Sequence, residues 1–214
     1  EYNYNDFILI IELLFFTLPD FEYYYKHKQM QVKLKDIAQI QFGYYAQPSK
    51  EGTVTYLQAK HFNEFGQLIG DNDTYLEEDE KTTANLLQAG DVLFSAKGFR
   101  FFATLYKPEF GKAVASSIFF VIKPDPEKIV PGYLVSVLNL PKNLLHFQQS
   151  GAGSSIPSIR KSELLDFTFN LIPVKQQQKI VALQELYIKD MKLSENLIKQ
   201  KQLLFQTALS KIIK

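Results

Sequence analysis

From residue 176 to the end, apolar side chains return every three or four positions for 39 residues with no Pro or Gly among them. That is the spacing of one continuous helical face. Ile180, Leu183, Tyr187, Met191, Leu197, Ile198, Leu204, Phe205, Ala208 and Ile212 form the stripe, Lys, Gln and Glu fill the gaps, and Ser194 and Lys201 interrupt it. A continuous helix of this length runs about 58 Å, too far for a body at one end to cover its apolar seam. The pattern predicts a coiled-coil type of contact with another helix; the alternative is a helix folded back on its own domain. Pro173 is tolerated before a helix but not within one and sets the seam between body and helix.

The body reads differently. Val32–Ile40 suggests a short helix leading into a strand, and Phe42-Gly43-Tyr44-Tyr45 a turn. Val54–Ala59 alternates as a half-buried strand would, and 60–80 is a polar loop with Gly66, Gly70 and Asn72 as turn residues. Thr83–Gln88 suggests a helical turn ending at Gly90. A Gly90-Asp91 turn then feeds a buried strand that ends at Lys97-Gly98. Ala103–Tyr106 and Val114–Ile122 read as strands. Pro131–Leu140 reads as a helix with Pro at its start, and Leu144–Gln149 as another. Around Gly151 and Gly153 a Gly/Ser loop precedes a short helix (Ser158–Leu165) and a strand (Phe167–Leu171). Short strands interleaved with short helices give an α+β body followed by the long helix. The predicted division is 1–29, 30–173 and 174–214.

Residues 1–29 do not resemble the rest of the chain. Their apolar run Phe7–Leu18 contains Glu12 and is shorter than the ~20 residues of a membrane helix. It also lacks the basic start and small-residue cleavage site of a signal peptide. The sequence opens without Met, and Met30 would be a natural start. An amphipathic element packed on the body, a partner-binding flap and a remnant of something upstream all stay open, and the segment receives no function.

Charge changes the picture by its distribution. The chain is only +1 overall, so no global basic field advertises a polyanion partner. Residues 175–214 carry eight Lys against three acids, residues 1–29 two Lys against five acids, and the body 14 basic against 15 acidic residues. Six of those 15 acids lie in Asp71–Glu80, which reads as a solvated strip. Zero Cys excludes a disulfide framework, a thiolate nucleophile and Cys-ligated zinc, and fits a reducing cytoplasm. His27, His61 and His146 are isolated, with no HExxH. Phosphate-loop, dinucleotide and nucleophile-elbow motifs are missing too, as is the Asn/Asp-Pro-Pro-aromatic signature of an adenine methyltransferase. Acid/Lys sets at Pro19-Asp20…Glu22…Lys26 and Pro124-Asp125…Glu127-Lys128 echo nucleases only faintly. The expectation is a non-catalytic chain without metal or cofactor.

The segments GDVLFSAKG and GSSIPSIRKSELLDFTFNLIPVKQQQKI, with the long helix after them, resemble the specificity (S) subunit of type I restriction–modification systems. The resemblance covers about residues 32–214 and amounts to one target-recognition domain plus one conserved spacer helix, a half-subunit. Ile172-Pro173-Val174 stands where the family usually has Pro-Pro-Leu. The resemblance implies helices paired in an antiparallel coiled coil, through a homodimer or a second S half. It also implies binding to double-stranded DNA, and partnership with methyltransferase (M) and restriction (R) subunits in the cytoplasm, away from any membrane. Such a domain reads one part of a split target in the major groove. The implied DNA-binding residues are Tyr44, Tyr45 and Gln47; Lys60, His61 and Asn63; Lys97, Phe99 and Arg100; and, as phosphate holders near a helix start, Ser154, Ser155, Ser158, Arg160 and Lys161. Two other classes stay open: an interaction module that assembles through its helix without touching DNA, and a stand-alone nuclease.

Overall fold

In the computed structural model of the chain the described residues are 30–63, 65–69, 73–151 and 156–213. The readings of residues 1–29 and of Gly70, Asn72, Gly153, Ser154 and Ser155 lie outside them. Where a short helix was expected after Gln31, the chain forms strand β1 (Met30–Lys33), one 3-10 turn (Leu34–Asp36) and strand β2 (Ala38–Phe42). The reason is tertiary. β1 pairs antiparallel with β9 (Thr168–Leu171), from Met30↔Leu171 to Lys33↔Thr168, so the first and last strands of the body close on each other. Leu34 then buries completely, and its N–H donates to the Phe167 carbonyl at 2.9 Å. Lys33 and Lys35 both reach Asp166, at 3.2 and 2.9 Å.

The main sheet is antiparallel, in the order β2-β8-β5-β6, with β5 at Val92–Ser95, β6 at Ala103–Leu105 and β8 at Phe119–Pro124. All four residues of β5 are buried, as the apolar run after Gly90-Asp91 predicts. Asp91 itself is buried: it accepts the Gln88 N–H at 2.9 Å and holds Lys123 at 2.9 and 3.0 Å. The outer strand β6 is covered by a side chain. Asn139 accepts the Ala103 N–H at 2.7 Å and donates to the Ala103 carbonyl at 2.8 Å, filling the place of a neighbouring strand.

A second sheet runs β4-β3-β7, with β3 at Val54–Leu57, β4 at Tyr75–Leu76 and β7 at Ala113–Ala115. β3 is buried along its whole length rather than on one face. Val54 and Tyr56 pack with Leu76 and Val114, while Leu57 faces Phe62, Phe102 and Phe119. The stretch expected as one strand over Val114–Ile122 is two. At Ser116–Ile118 the chain passes from β7 to β8: the Ser116 N–H donates to the Leu57 carbonyl and the Phe119 N–H to the Ser116 carbonyl, each at 2.9 Å. This turn joins the sheets.

Helices α1 (Glu80–Ala84), α2 (Pro131–Leu138), α3 (Pro141–Ser150) and α4 (Lys161–Leu165) complete the body. α1 starts three residues before the expected turn because Asp79 caps it, accepting the Thr82 N–H at 2.6 Å. α4 is shorter than expected, since Ser158 is spent on a bridge to Lys97. Phe147 of α3 packs against Phe94 and Phe167, with ring centroids 4.9 and 5.0 Å apart. The chain divides into two compact units, one ending at Val174 and the other starting at Lys175. The second is α5 (Val174–Ile212), one unbroken helix directly after Pro173. No helix among the described residues is long and apolar enough to cross a membrane.

Candidate nucleic-acid interface

Strand direction decides where the predicted loops meet. In the main sheet Phe42 ends β2, Ser95 ends β5, Phe119 starts β8 and Ala103 starts β6; the registers Phe42↔Phe120, Ser95↔Phe119 and Phe94↔Ala103 put all four at one end. β3 and β7 run parallel and finish together at Leu57↔Ala115, next to the 116–118 turn that begins β8. The loops after β2, after β3 and between β5 and β6 therefore share one end of the body.

The 116–118 turn is their common anchor. Gly43 N–H donates to Phe119 O and Tyr44 N–H to Ala115 O, at 2.9 and 2.8 Å; Ala96 N–H donates to Ile118 O at 2.9 Å. A Cβ on Gly43 would stand 2.0 Å from the Ser116 carbonyl oxygen, so only glycine fits this crossing. The Ser116 hydroxyl, buried at the same junction, is the one buried side-chain polar atom among the described residues without a hydrogen-bond partner. On the far side, Gly98 N–H donates to Pro157 O at 2.9 Å and Ile159 N–H to Ala96 O at 2.8 Å. This brings Ser158, Arg160 and Lys161 beside Lys97. Lys161 lies with its ammonium 5.6 Å from the centre of the Phe42 ring, a cation–π contact that ties α4 to the end of β2. Arg100 leans towards the 3-10 turn Ala59–His61, with Nη2 3.4 Å from both the Ala59 and Phe62 carbonyls. At that length the contacts steer the side chain without consuming its donors.

Within this assembly the predicted residues fare unequally. Tyr45, Gln47, Lys60, Lys97, Phe99, Arg100 and Arg160 are exposed; Tyr44, Asn63, Ser158 and Lys161 are half-buried. His61 is placed inside, against expectation. Its Nδ1 accepts the Gln58 N–H at 3.0 Å, so Nε2 is the protonated nitrogen, 2.9 Å from Asp73 Oδ1 and 3.3 Å from Thr74 Oγ1. With 5% of its side chain exposed, it holds a turn together rather than facing a ligand. Lys60 is exposed but paired, 2.7 Å from Asp73 Oδ1 and 2.8 Å from Oδ2. Hydrogen bonds from Lys60 and His61 pull the Asp73 carboxyl down to about 2. Asn63 is turned to its own loop, donating to Gln67 Oε1 and accepting the Phe65 and Gln67 N–H groups. The expected anion site at the start of α4 is filled by the chain itself, because Glu163 accepts the Arg160 N–H at 2.7 Å.

Sequence reading missed three contributors. Tyr56 is buried in β3, and its hydroxyl holds the first loop. The 116–118 turn anchors the loops from beneath, its only signal a Ser-Ser pair inside an apolar run. Asp73 pairs with both basic residues of the second loop from 12 and 13 positions away. Lys60, Lys97, Arg100, Arg160 and Lys161 gather at this end, with Asp73 paired to Lys60 among them. Glu77–Glu80 lie at the other, following the Leu76 that pairs with the first residue of β3. Among the described residues no group of three or more His, Asp or Glu is placed to hold a metal.

The family described as type I restriction modification DNA specificity domain matches residues 27–201. No curated protein matches the chain. Among solved structures, the HsdS subunit from Thermoanaerobacter tengcongensis superposes with a TM-score of 0.55 at 16% identity, over 75% of this chain and 37% of that one. The type I restriction–modification S subunit from M. genitalium gives 0.55 at 13%, over 78% and 41%. A chain from a structural description of complex assembly and conformational transition in the type I R-M system gives 0.51 at 18%, over 94% and 49%. These likenesses show a shared fold, and this chain spans less than half the length of each of the three. The extent of the family match, far beyond half of the sequence, settles membership: the chain belongs to the type I restriction–modification DNA specificity family.

Proposed function

We propose that the body reads one part of a split DNA target with the loop-bearing end of its sheets, and that α5 pairs antiparallel with the equivalent helix of a second copy or a second S half. In this reading the chain is non-catalytic and binds no cofactor. It directs methyltransferase and restriction subunits to the target, in the cytoplasm. The observation that carries the reading is the convergence of three sequence-distant loops on one turn, at an end where Lys97, Arg100 and Arg160 are exposed together. Phosphates are met by exposed Lys97, Arg100 and Arg160, which position the body; side chains on the loop tips are left to meet base edges. Within α5 the unpaired apolar stripe supports a helix partner, and two domains held by paired helices would face DNA with two-fold symmetry and a fixed spacing.

Binding of labelled duplex DNA to the full chain, followed across salt concentration, tests this. Affinity falls steeply with salt if Lys97, Arg100 and Arg160 meet phosphates. Arg100→Ala weakens binding selectively if it reads a base and uniformly if it touches phosphate. Salt-independent or undetectable binding, alone and with co-purified methyltransferase subunits, would defeat the reading.

A further inference from the structure

The two most exposed aromatic side chains among the described residues are Phe99, at 79%, and Tyr45, at 76%. Both are mounted on held backbone. On one side of Tyr45, the Tyr44 N–H donates to Ala115 O at 2.8 Å and its carbonyl accepts the Tyr56 hydroxyl at 2.8 Å. On the other side, the Ala46 N–H donates to the same Tyr56 hydroxyl at 3.2 Å. Phe99 sits between Gly98, whose N–H donates to Pro157 O at 2.9 Å, and Arg100, whose carbonyl accepts the Ser95 hydroxyl at 3.0 Å. Gly98 has φ +107 with nothing within 4 Å of where a Cβ would stand, so the chain turns there in a form that favours glycine and throws the next ring outward.

A ring left in water on a floppy loop would lose much of its burial gain to ordering on contact; a ring on held backbone keeps it. The same device occurs twice at one end of the sheet. We propose that Tyr45 and Phe99 are rigid aromatic wedges that enter the base stack of the bound duplex, each parting one base step. The inference rests on the DNA-reading function proposed above. Its occupant is a nucleic acid rather than an apolar protein face because Lys97 and Arg100 bracket Phe99 and Arg160 lies beyond the adjoining bridge, an arrangement of cations around an apolar tip that suits phosphates flanking a stack. The wedges grow from β2 and β5, which flank β8. Two strand spacings separate those strands by about 10 Å, and Tyr45 and Phe99 follow in the loops beyond their ends. Tyr56 is a positioning residue, acting on DNA only through Tyr45.

The test uses the full chain, alone and with co-purified methyltransferase subunits, on the duplex it enriches from a random pool, with 2-aminopurine placed at successive positions. Fluorescence rises at two positions on binding. Phe99→Ala abolishes one rise and Tyr45→Ala the other, each with an affinity loss of about tenfold. Both residues are exposed, so these variants keep the fold. Tyr56→Phe retains its buried ring, loses both hydrogen bonds and dims only the Tyr45 position. Binding without any rise, or rises that survive both alanine variants, would overturn the wedges while leaving the DNA reading intact. Affinity loss without a rise, copied by replacing thymine with uracil, would make the rings groove contacts and overturn the wedges too. Failure to enrich any duplex would take down both inferences.

Discussion

Phe102 and Leu204 are both large apolar residues, and the molecule treats them in opposite ways. In the body Phe62, Phe94, Phe102, Phe119 and Phe147 are each less than 2% exposed, stacked edge to face between the sheets and α3. Along α5, Leu186, Leu197, Leu204 and Phe205 are 53–70% exposed. The body satisfies its own hydrophobic pattern; the helix carries one and does not. In proteins most helical stability comes from packing an apolar face rather than from propensity. One region covers its apolar residues and the other leaves them exposed.

The sharpest way to break this contrast is to delete the same kind of side chain from each region. Phe102→Ala leaves a cavity between Phe62 and Phe119, whose rings lie 5.7 and 5.9 Å from its own, and should cost the body about 3–5 kcal/mol in denaturant unfolding. Leu204→Ala should leave body stability within about 0.5 kcal/mol. Next in size, Leu183, Leu197 and Leu204 all changed to Glu should abolish self-association in sedimentation while the body's thermal transition stays in place. A triple variant that sediments like wild type would mean the apolar stripe is not the contact.

Asp91→Ala tests the buried polar side of the body. It orphans the Gln88 N–H and the half-buried Lys123, and an expected loss of about 1–3 kcal/mol should appear in the denaturant midpoint without changing association. The smallest effect is acid sensitivity. Asp73 is held down to about 2 by Lys60 and His61, and Asp166 is lowered by Lys35 and Lys33. Both pKa values lie below those of the unfolded chain, about 3.9, so their contribution is whole above about pH 4 and fades as pH falls towards 2. Both carboxylates are exposed, so the shift in the body's melting temperature should be slight. Asp73→Asn should flatten part of it.

Local signals carried the elements that need no distant partner. Gly90-Asp91 before an apolar run marked β5, Pro131 opened α2, and Pro173 with the Pro-free stretch after it marked α5. What the sequence hid was pairing at a distance. β1 is a strand only because β9, far along the chain, is beside it. Val114–Ile122 looks like a single strand because a crossing between sheets needs no Gly or Pro when Leu57 and Phe119 hold its backbone. For the interface, Lys97, Phe99 and Arg100 were readable as a loop after a Gly-Asp strand. That His61 turns inward was not, since Asp73, Thr74 and the Gln58 N–H that hold it are not adjacent to it in sequence. The clamp from Tyr56 to Tyr44 and Ala46 is likewise silent: a Tyr in an apolar strand reads as core, and here its ring is core while its hydroxyl works on a loop.

Under the proposed function the body reads DNA and α5 doubles it by pairing. Selection of bound molecules from a random duplex pool at low salt, with and without methyltransferase subunits, addresses both halves at once. The expected outcome is enrichment of a split inverted repeat with a fixed spacer. An uninterrupted single half-site would contradict the pairing of α5, and a pool that stays random under both conditions would contradict DNA reading itself.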